Sequence, residues 1–342
     1  MNLLLPKIKL YKRNPENREF GYTDTYGSLK LIENYSGKPL PLKRPIDWFY
    51  WTHGCHGPWR MVHPGLLTGN VKNKTLKYLV ESKEQELYLK RHGYKNAIAV
   101  GLPIIYVKDV QVSRIPNSLL IMPSHTLQGN KKLDQEAYDI YIKFLKPYLK
   151  YFDVVKVCLH QGCLANNMWV DEFTALGINI IEGAHPEDEN ALLRQKYLFK
   201  QFDYVTTNNW GSHVAYALFF GCKVSIAGPY AEMPKKEYLK QHQWAENPEL
   251  IDLLLGREIN DYKLKLLKNT YIVPHKAQTD VELGKRLVGY DSKKTPEELI
   301  KILRPKASKI AVYYLSKLLS HVRNKSLLST LKWRILSRIQ IP

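Results

Sequence analysis

The sequence predicts an α/β protein made of two Rossmann-like domains and a basic helical tail. Three observations carry this prediction. Short apolar strands alternate with helix-spaced segments from residue 116 to about residue 285, and a smaller set alternates before residue 116. A chain of 342 residues exceeds what one hydrophobic core usually serves, and a 44% hydrophobic content is ample for two cores.

The carboxy-terminal half has the most regular pattern. Five strands are predicted at 119–122, 153–159, 178–181, 205–207 and 224–228. The helices between them are predicted at 135–152, 167–176 and 187–202, with a last one from Ser212 to a stop at Gly221. Strands that alternate with helices predict a doubly wound parallel sheet, because right-handed crossovers place the helices on both faces.

The amino-terminal half is less regular. Strands are predicted at 47–52, 77–80 and 97–100, with a helix at 84–91. We therefore expect an amino-terminal α/β domain over residues 1–115 and a Rossmann-like domain over residues 116–285. Residues 286–342 would supply a capped return helix at 295–303 and the basic tail.

The segment 208–212 predicts an anion site. It lies between a strand and a helix, and Gly211 and Ser212 offer backbone and hydroxyl donors at the helix N-terminus. Phosphate is the first ligand to expect at such a strand end. The alternative is that Ser212 only caps the helix.

The other predicted strand ends of this half also carry polar residues. Three of the four loops contain a histidine, which can donate to phosphate or a sugar hydroxyl without the desolvation cost of a buried lysine. The residues concerned are Ser124, His125 and Thr126 in the first loop, His160 in the second, and Gly183 and His185 in the third. Their convergence at one sheet edge predicts a site for a polar ligand.

The formal net charge of +19 is concentrated in the tail. Residues 301–342 hold ten Lys or Arg and no Asp or Glu, and apolar residues recur there at helical spacing. This basic amphipathic pattern predicts that residues 305–342 lie on an anionic membrane surface. A packing helix with a solvated basic face and a nucleic-acid patch are the alternatives. The strand-end loops are not basic, so we expect no nucleic-acid partner.

The cysteines and the apolar runs predict a cellular location. No pair among the four cysteines has CxxC spacing, which argues against a zinc site and a disulfide framework. The first residues lack a signal-peptide core, and no run of eighteen uncharged apolar residues occurs. We expect a cytoplasmic protein, peripheral on the inner face of the cell membrane.

Several short motifs resemble GT-B glycosyltransferases, above all bacterial enzymes that build capsule, lipopolysaccharide and teichoic acid polymers. An aromatic strand runs into a His-Gly-x-Pro-like bend, a Gly-x-Pro follows, and a Pro-Thr-His-like loop and a polar turn open and close the second domain. These motifs are Cys55-His56-Gly57-Pro58 (or Thr52-His53-Gly54), Gly101-Leu102-Pro103, Pro123-Ser124-His125 and residues 207–212. His185-Pro186 is similar to the pair that bacterial sialyl- and Kdo-transferases place against the donor nucleotide.

The resemblance implies two domains facing across a cleft, with the acceptor on the amino-terminal side. It implies transfer of a sugar from a nucleotide sugar to a surface glycan or lipid-linked acceptor. Asn208 and Asn209 stand where teichoic acid polymerases have an acid and a tyrosine, which favours sugar transfer over glycerophosphate transfer. The base would be His53 or His56. The donor-binding set would be Ser124, His125, Thr126, His160, Gly183, His185, Asn208, Asn209, Gly211, Ser212 and Glu232.

No DxD-type acidic pair follows a predicted strand. We therefore expect no metal and no other cofactor, with helix dipoles and protein donors neutralising the leaving phosphate. By analogy with the resembled families, inversion at the anomeric carbon is expected. The alternatives are an enzyme like UDP-GlcNAc 2-epimerase, a nucleic-acid-binding protein and a scaffold without catalytic activity.

Overall fold

A computed structural model describes residues 3–10, 26–39, 49–52, 54–69, 73–124, 135–230, 234–240 and 242–304. By its internal contacts the chain divides into residues 1–299 and residues 300–342. The first unit holds both sheets. The second is described only over residues 300–304, so the tail predicted at 305–342 lies outside the described residues.

The smaller sheet has three parallel strands in the order β1-β2-β3. They are β1 Phe49–Trp51, β2 Lys77–Val80 and β3 Ala97–Ala99. Nearly every strand residue is buried, as expected for parallel strands covered on both faces. The Tyr78 ring packs against Tyr50 and Tyr94, with ring centroids 5.9 and 5.3 Å away. An aromatic core therefore holds this small sheet.

The larger sheet has six strands in the order β6-β5-β4-β7-β8-β9. They are β4 Ile115–Ile121, β5 Val154–Leu159, β6 Asn179–Glu182, β7 Phe202–Thr207, β8 Lys223–Ile226 and β9 Gln278–Thr279. The first five are parallel, and β9 adds to the β8 edge antiparallel. The strand order reverses between β4 and β7. In a doubly wound sheet, ligands bind in the crevice outside the carboxyl ends of the strands at such a switch point.

The described helices cover the sheets and fill the crossovers. They are α1 Ser28–Ser36, α2 Lys83–Arg91, α3 Gln135–Leu149, α4 Gln161–Ala165, α5 Val170–Ala175, α6 Ala191–Gln201, α7 Ser212–Phe219, α8 Lys235–Tyr238, α9 His242–Ala245, α10 Glu249–Leu255, α11 Arg257–Leu266, α12 Val281–Val288 and α13 Pro296–Leu303. Short 3-10 turns lie at Pro58–Arg60, Pro64–Leu66, Pro103–Tyr106, Lys268–Thr270, Pro274–Lys276 and Tyr290–Ser292.

The predicted α/β class with two parallel sheets is confirmed, and most predicted elements lie within a few residues of the observed ones. The antiparallel strand β9 was not predicted. The helix predicted at 167–176 corresponds to α5 but begins too early, and the short helix α4 before it was not predicted. Asn167 and Trp169 between them have positive φ angles of 52° and 66°, which a continuous right-handed helix excludes. The buried Trp169 ring packs edge-on against Tyr138, with centroids 4.3 Å apart.

Residues 3–10 lie along α6 and the loop before it. The Leu4 N–H donates to Gln201 Oε1 (3.0 Å), and Gln201 Nε2 donates back to the Leu4 carbonyl (2.9 Å). Asp188 is fully buried, and its Oδ1 accepts from the Lys9 N–H (2.8 Å). Arg194 lies 3.8 Å from the other Asp188 oxygen and also donates to the Pro6 carbonyl. The amino-terminal segment is therefore part of the layer that covers the larger sheet.

Helix α12 leads the chain back to the smaller sheet. It packs against α7 so closely that a Cβ on Gly284 would lie 2.3 Å from the Phe219 nitrogen. After the helix ends at Gly289, the Leu102 N–H donates to the Val288 carbonyl (2.9 Å), and the Lys294 N–H donates to the Tyr106 hydroxyl (2.9 Å). Residues 288–294 therefore connect the two sheets.

The helix predicted at 295–303 is confirmed as α13, and its predicted cap is present. The Thr295 hydroxyl accepts from the Glu298 N–H (3.3 Å), while Glu298 Oε2 accepts from the Thr295 N–H (2.9 Å). Among the described residues, no helix is both long enough and apolar enough to span a bilayer. The predicted domain limits at residues 115 and 285 stay predictions.

Candidate active site

The loops at the carboxyl ends of β1 and β7 meet. The bend at residues 54–57 follows β1, and the turn at residues 208–212 follows β7 and opens α7. The Cys55 N–H donates to Ser212 Oγ (2.8 Å). Beside this bond, the Trp59 and Trp210 rings pack edge to face with centroids 4.9 Å apart. The bend and the turn therefore form one crevice between the two sheets.

A glutamate anchors the bend. Glu81 follows β2 directly, and its carboxylate accepts from the backbone N–H groups of His56 and of Gly57 (3.1 Å). Gln85 Nε2 donates to the same carboxylate (2.9 Å). Gly57 has a φ of 68°, a left-handed conformation that glycine adopts without steric cost. The bend is therefore shaped by three donors converging on one side chain.

Burial dominates the electrostatics beneath the bend. Glu81 is 3% exposed, and burial raises the pKa of its carboxyl to about 7 against the opposing effect of its hydrogen bonds and Arg60. Burial also lowers the pKa of Arg60, whose buried Nε has no hydrogen-bond partner in the described part of the chain. The pKa of the buried Cys55 thiol lies well above its usual value, mainly because of desolvation. Cys55 is therefore a neutral thiol.

The turn after β7 is anchored by an amide instead. Asn208 is 3% exposed, and its Oδ1 accepts from the Ser124 N–H (2.8 Å) across the switch point. Trp169 Nε1 donates to the Ser124 carbonyl (2.9 Å). The buried Ser124 hydroxyl has no hydrogen-bond partner among the residues that the structure describes. Asn208 and Ser124, both predicted to bind the donor, are thus brought together, with Asn208 joining β4 to β7.

Helix α7 begins as predicted, but with a different cap. Gly211 is the N-cap in an extended conformation, and no side chain caps the helix. Ser212 is the first helical residue, and its hydroxyl accepts from Cys55. The alternative that Ser212 only caps the helix is therefore wrong. Asn209 continues the turn with its N–H donating to Thr207 Oγ1 (3.3 Å).

The described strand-end histidines have a local role that the sequence analysis missed. His160 Nδ1 accepts from the Gly162 N–H and His185 Nδ1 accepts from the Glu187 N–H, each at 3.0 Å. His63 makes the same bond with Gly65. An accepting Nδ1 places the proton of the neutral ring on Nε2, so each ring has Nε2 as its donor. In each loop, the histidine accepts from the backbone N–H two residues later, and this short spacing was the sequence signal for a local bond.

Gly183 lies where two backbones approach. Its N–H donates to the Leu159 carbonyl (2.8 Å), and a Cβ would lie 2.8 Å from that oxygen. The glycine is therefore required by packing at the end of β5. The remaining predicted site residues, His53, His125, Thr126 and Glu232, lie outside the described residues.

Two cavities adjoin the crevice. The first, of about 380 Å³, opens at the carboxyl ends of β7 and β8 and is lined by Asn208, Ile226, Ala227, Gly228, Tyr230, Asn260, Lys263, Leu264 and Tyr271. The second, of about 350 Å³, adjoins the carboxyl end of β2 and is lined by Pro58, Met61, Glu81, Ser82, Lys83, Glu84, Gln85, Tyr262, Lys285, Arg286, Leu287, Gly289, Tyr290, Asp291 and Ser292. Helix α11 contributes to both, with Lys263 in the first cavity and Tyr262 in the second.

Sequence analysis missed most of the lining of these cavities. Glu81 stands in a stretch with two other glutamates, Glu84 and Glu86. Its position directly after a predicted strand was the only signal that distinguishes it from them. Lys263 and Tyr271 belong to helices and turns that no motif marks. Among the described residues, no group of three or more His, Cys, Asp or Glu side chains could hold a metal ion.

No protein-family model matches the chain, and no curated protein matches it. Weak similarities to solved structures include the following three. A protein from Listeria monocytogenes described as a UDP-N-acetylglucosamine 2-epimerase is 16% identical, with 64% of this chain and 60% of that chain covered and a TM-score of 0.30. A S. aureus TarM mutant in complex with fondaparinux, alpha-GlcNAc-glycerol and UDP is 10% identical, with 80% and 50% covered and a TM-score of 0.31.

A further TarM structure is 11% identical, with 67% of this chain and 43% of that chain covered and a TM-score of 0.28. The chain thus spans 60% or less of the length of these structures. At these TM-scores the similarities carry no argument about this protein. The fold and the crevice stand on their own geometry.

Proposed function

We propose that the protein is a glycosyltransferase of the GT-B type. It would move a sugar from a nucleotide-sugar donor to a bacterial surface glycan or its lipid-linked precursor. The observation that supports this most is the hydrogen bond from the Cys55 N–H to Ser212 Oγ, which joins the carboxyl-end loops of two parallel sheets in one crevice. Two of the motifs that resemble GT-B enzymes, residues 55–58 and residues 207–212, lie on those two loops.

The first cavity is the proposed donor site. Its volume of about 380 Å³ lies within the range of about 300–1,000 Å³ common for small-molecule sites. Tyr230, which is 41% exposed, and Tyr271 offer aromatic faces for a base or sugar ring. Lys263 supplies a positive charge for a diphosphate. Asn208 and Asn260 supply amide groups for hydroxyl recognition.

The second cavity is the proposed acceptor site. It combines the rings of Tyr262 and Tyr290 with the hydroxyls of Ser82 and Ser292. Ionisable groups of both signs complete the lining. Sugars present apolar C–H faces and many hydroxyl groups, and such a lining can contact both. An acceptor hydroxyl bound here would approach the bend at His56.

The proposed mechanism uses the crevice without a metal or cofactor. His56, or His53, would remove the proton of the acceptor hydroxyl. The N-terminus of α7 at Gly211 and Ser212 would stabilise the leaving phosphate together with the unpartnered Ser124 hydroxyl. Inversion at the anomeric carbon is part of this proposal and rests on the family resemblance.

A nucleotide panel tests the donor site. We expect one of UDP, GDP, CDP or CMP to raise the melting temperature of the protein, and Lys263→Ala to lose most of that shift. Lys265→Ala is the matched control, because Lys265 is an exposed lysine of the same helix that does not line the cavity. No shift with any nucleotide, or an equal shift in both variants, would contradict the donor site.

The same preparation separates transfer from epimerisation. With the nucleotide sugar matching the best responder and no acceptor present, a transferase leaves the donor largely intact, whereas an epimerase converts its sugar. Conversion without acceptor would replace the proposed activity with epimerisation at the same site.

Residues 305–342 are proposed to hold the protein on an anionic membrane surface at the inner face of the cell membrane. They hold eight Lys or Arg and no Asp or Glu, and their apolar residues follow helical spacing. Truncation after Arg304 is expected to abolish co-sedimentation with vesicles that contain anionic lipid. Unchanged co-sedimentation would contradict the membrane role.

A further inference from the structure

We infer that Glu81 is a positioning residue of the crevice, because its carboxylate holds the backbone that carries His56. Two adjacent backbone N–H groups, those of His56 and Gly57, donate to it. The inference rests on the proposed function for its effect on turnover, while the hydrogen bonds themselves are testable without any substrate. Glu81 is therefore assigned no contact with the reacting atoms.

The backbone around His56 is held from two sides. On one side the Cys55 N–H donates to Ser212 Oγ of α7 (2.8 Å), and on the other the next two N–H groups donate to Glu81. Three consecutive N–H groups thus have fixed acceptors on different elements. A shift of the bend relative to either sheet has to break at least one of these bonds, and an error of about 1 Å in a reacting group can cost about 100-fold in rate.

The geometry requires the ionised carboxylate. Three donors, the two backbone N–H groups and Gln85 Nε2, converge on its oxygens. A carboxylate only accepts, whereas a protonated carboxyl or an amide would turn a donor toward one of these donors. Hydrogen bonds to a charged acceptor are roughly twice as strong as neutral ones. The bend therefore depends on the charge of Glu81 as well as on its size.

Burial opposes that charge. Desolvation raises the pKa of Glu81 to about 7, so the carboxyl titrates near neutral pH. The charge of Arg60 favours the ionised form of Glu81. Burial and the Glu81 carboxylate both raise the pKa of the Cys55 thiol and that of the Tyr216 hydroxyl on α7. Lys285 and Arg286 of α12 line the same cavity. As the pH falls through about 7, Glu81 takes up a proton and its hold on the bend weakens.

Turnover of Glu81→Gln is the first test. Loss of the charged acceptor is expected to lower kcat by about 100-fold, while the KM for the donor stays within about threefold, because the first cavity is untouched. Glu81→Asp keeps the charge on a shorter side chain and should recover part of the loss.

The pH dependence of turnover is the second test. In the parent protein, kcat should fall more steeply with decreasing pH than one proton permits, because both the base and Glu81 must be deprotonated. Glu81→Gln should reduce that fall to a single ionisation.

Glu86→Gln is the matched control. Glu86 is another buried carboxylate near the same strands, but it accepts from the Ala99 N–H (2.9 Å) and pairs with Lys83 and Lys90. Its pKa is lowered to about 2, so it does not titrate near neutral pH. This variant is expected to lose stability while keeping the parental shape of the pH profile. An equal loss of the steep fall in Glu86→Gln would overturn the inference.

Hydrogen exchange provides the readout that needs no substrate. In the full chain, the backbone N–H groups of residues 55–57 should be protected at pH 8 and lose protection in Glu81→Gln but not in Glu86→Gln. Parental protection in Glu81→Gln would overturn the positioning role, even in an active enzyme. Lost protection in a protein with no transferase activity would sustain the positioning role and reject the proposed function.

Discussion

The bend after β1 and the turn after β7 meet in one crevice, yet different chemistry holds each of them. A single buried carboxylate holds the bend, through donors that lie 24 and 25 residues away from it in sequence. A neutral amide, Asn208, holds the turn by joining it to Ser124, 84 residues away. The two walls of one crevice therefore differ in pH dependence, because the anchor of the bend can take up a proton and the anchor of the turn cannot.

This difference assigns the two walls separate tasks in the proposed enzyme. The turn carries the start of α7 and borders the first cavity, so its neutral anchor keeps the donor side constant across pH. The bend carries His56 and borders the second cavity, so its charged anchor makes the acceptor side depend on pH. Substitutions at the two anchors should therefore separate donor affinity from turnover.

Gly289→Ala, on the bend side of the crevice, should cause the largest loss of stability. Gly289 has a φ of 68°, and a Cβ there would lie 1.9 Å from the Glu81 carbonyl oxygen. The left-handed conformation and the overpacking together should lower the free energy of unfolding by about 3 kcal/mol or more. Urea denaturation measures this change. Gly37→Ala is the control, since Gly37 has a similar φ of 66° and no atom of the described residues would lie within 4 Å of its Cβ, so about 1 kcal/mol is expected there.

An equal loss in the two glycine variants would show that the backbone conformation alone decides the effect. The close approach of α12 to the strand end that carries Glu81 would then have no energetic weight. A larger loss of stability at Gly289 would show that the close approach of residue 289 to Glu81 helps to hold the bend in place.

Asn208→Ala, on the turn side of the crevice, should cause a smaller loss of stability. It removes the acceptor of the buried Ser124 N–H, and such a loss costs about 2 kcal/mol. Because the amide is neutral, this destabilisation should be the same at pH 6 and pH 8. Thermal unfolding at the two pH values measures it. Asn166→Ala, at an exposed asparagine, should cost less than about 0.5 kcal/mol, and a pH-dependent loss at Asn208 would contradict the contrast.

The sequence was sufficient for the fold class and for the convergence of the loops. Strand β2 lies at the predicted residues because a short apolar run there is bounded by polar residues. The rule that strand ends meet at one edge of a parallel sheet placed Ser124 and Asn208 together. These predictions depend on local pattern and on general topology, both of which a single chain displays.

The rest depends on partners that are distant in sequence. Asn208 was predicted as a donor ligand because its amide is polar and lies at a strand end, but its acceptor oxygen is used by Ser124 in the loop after β4. Glu81 was missed because its burial and its donors at His56 and Gly57 follow from tertiary packing, which the local sequence does not display. The late start of α5 was missed because Trp169, whose buried ring packs against Tyr138, has a φ of 66° that ends the local preference for a helix from residue 167.

The segment at residues 3–10 has a consequence for the order of folding. Ribosomes make it before α6, and its partners on α6 are nearly two hundred residues downstream, since the bond between Leu4 and Gln201 spans 197 positions. Long-range pairing of this kind forms slowly and late, after the loop between its ends has been closed. During synthesis this segment must therefore wait undocked until α6 has emerged, and a fusion that restrains it would act on assembly of the layer that covers the larger sheet.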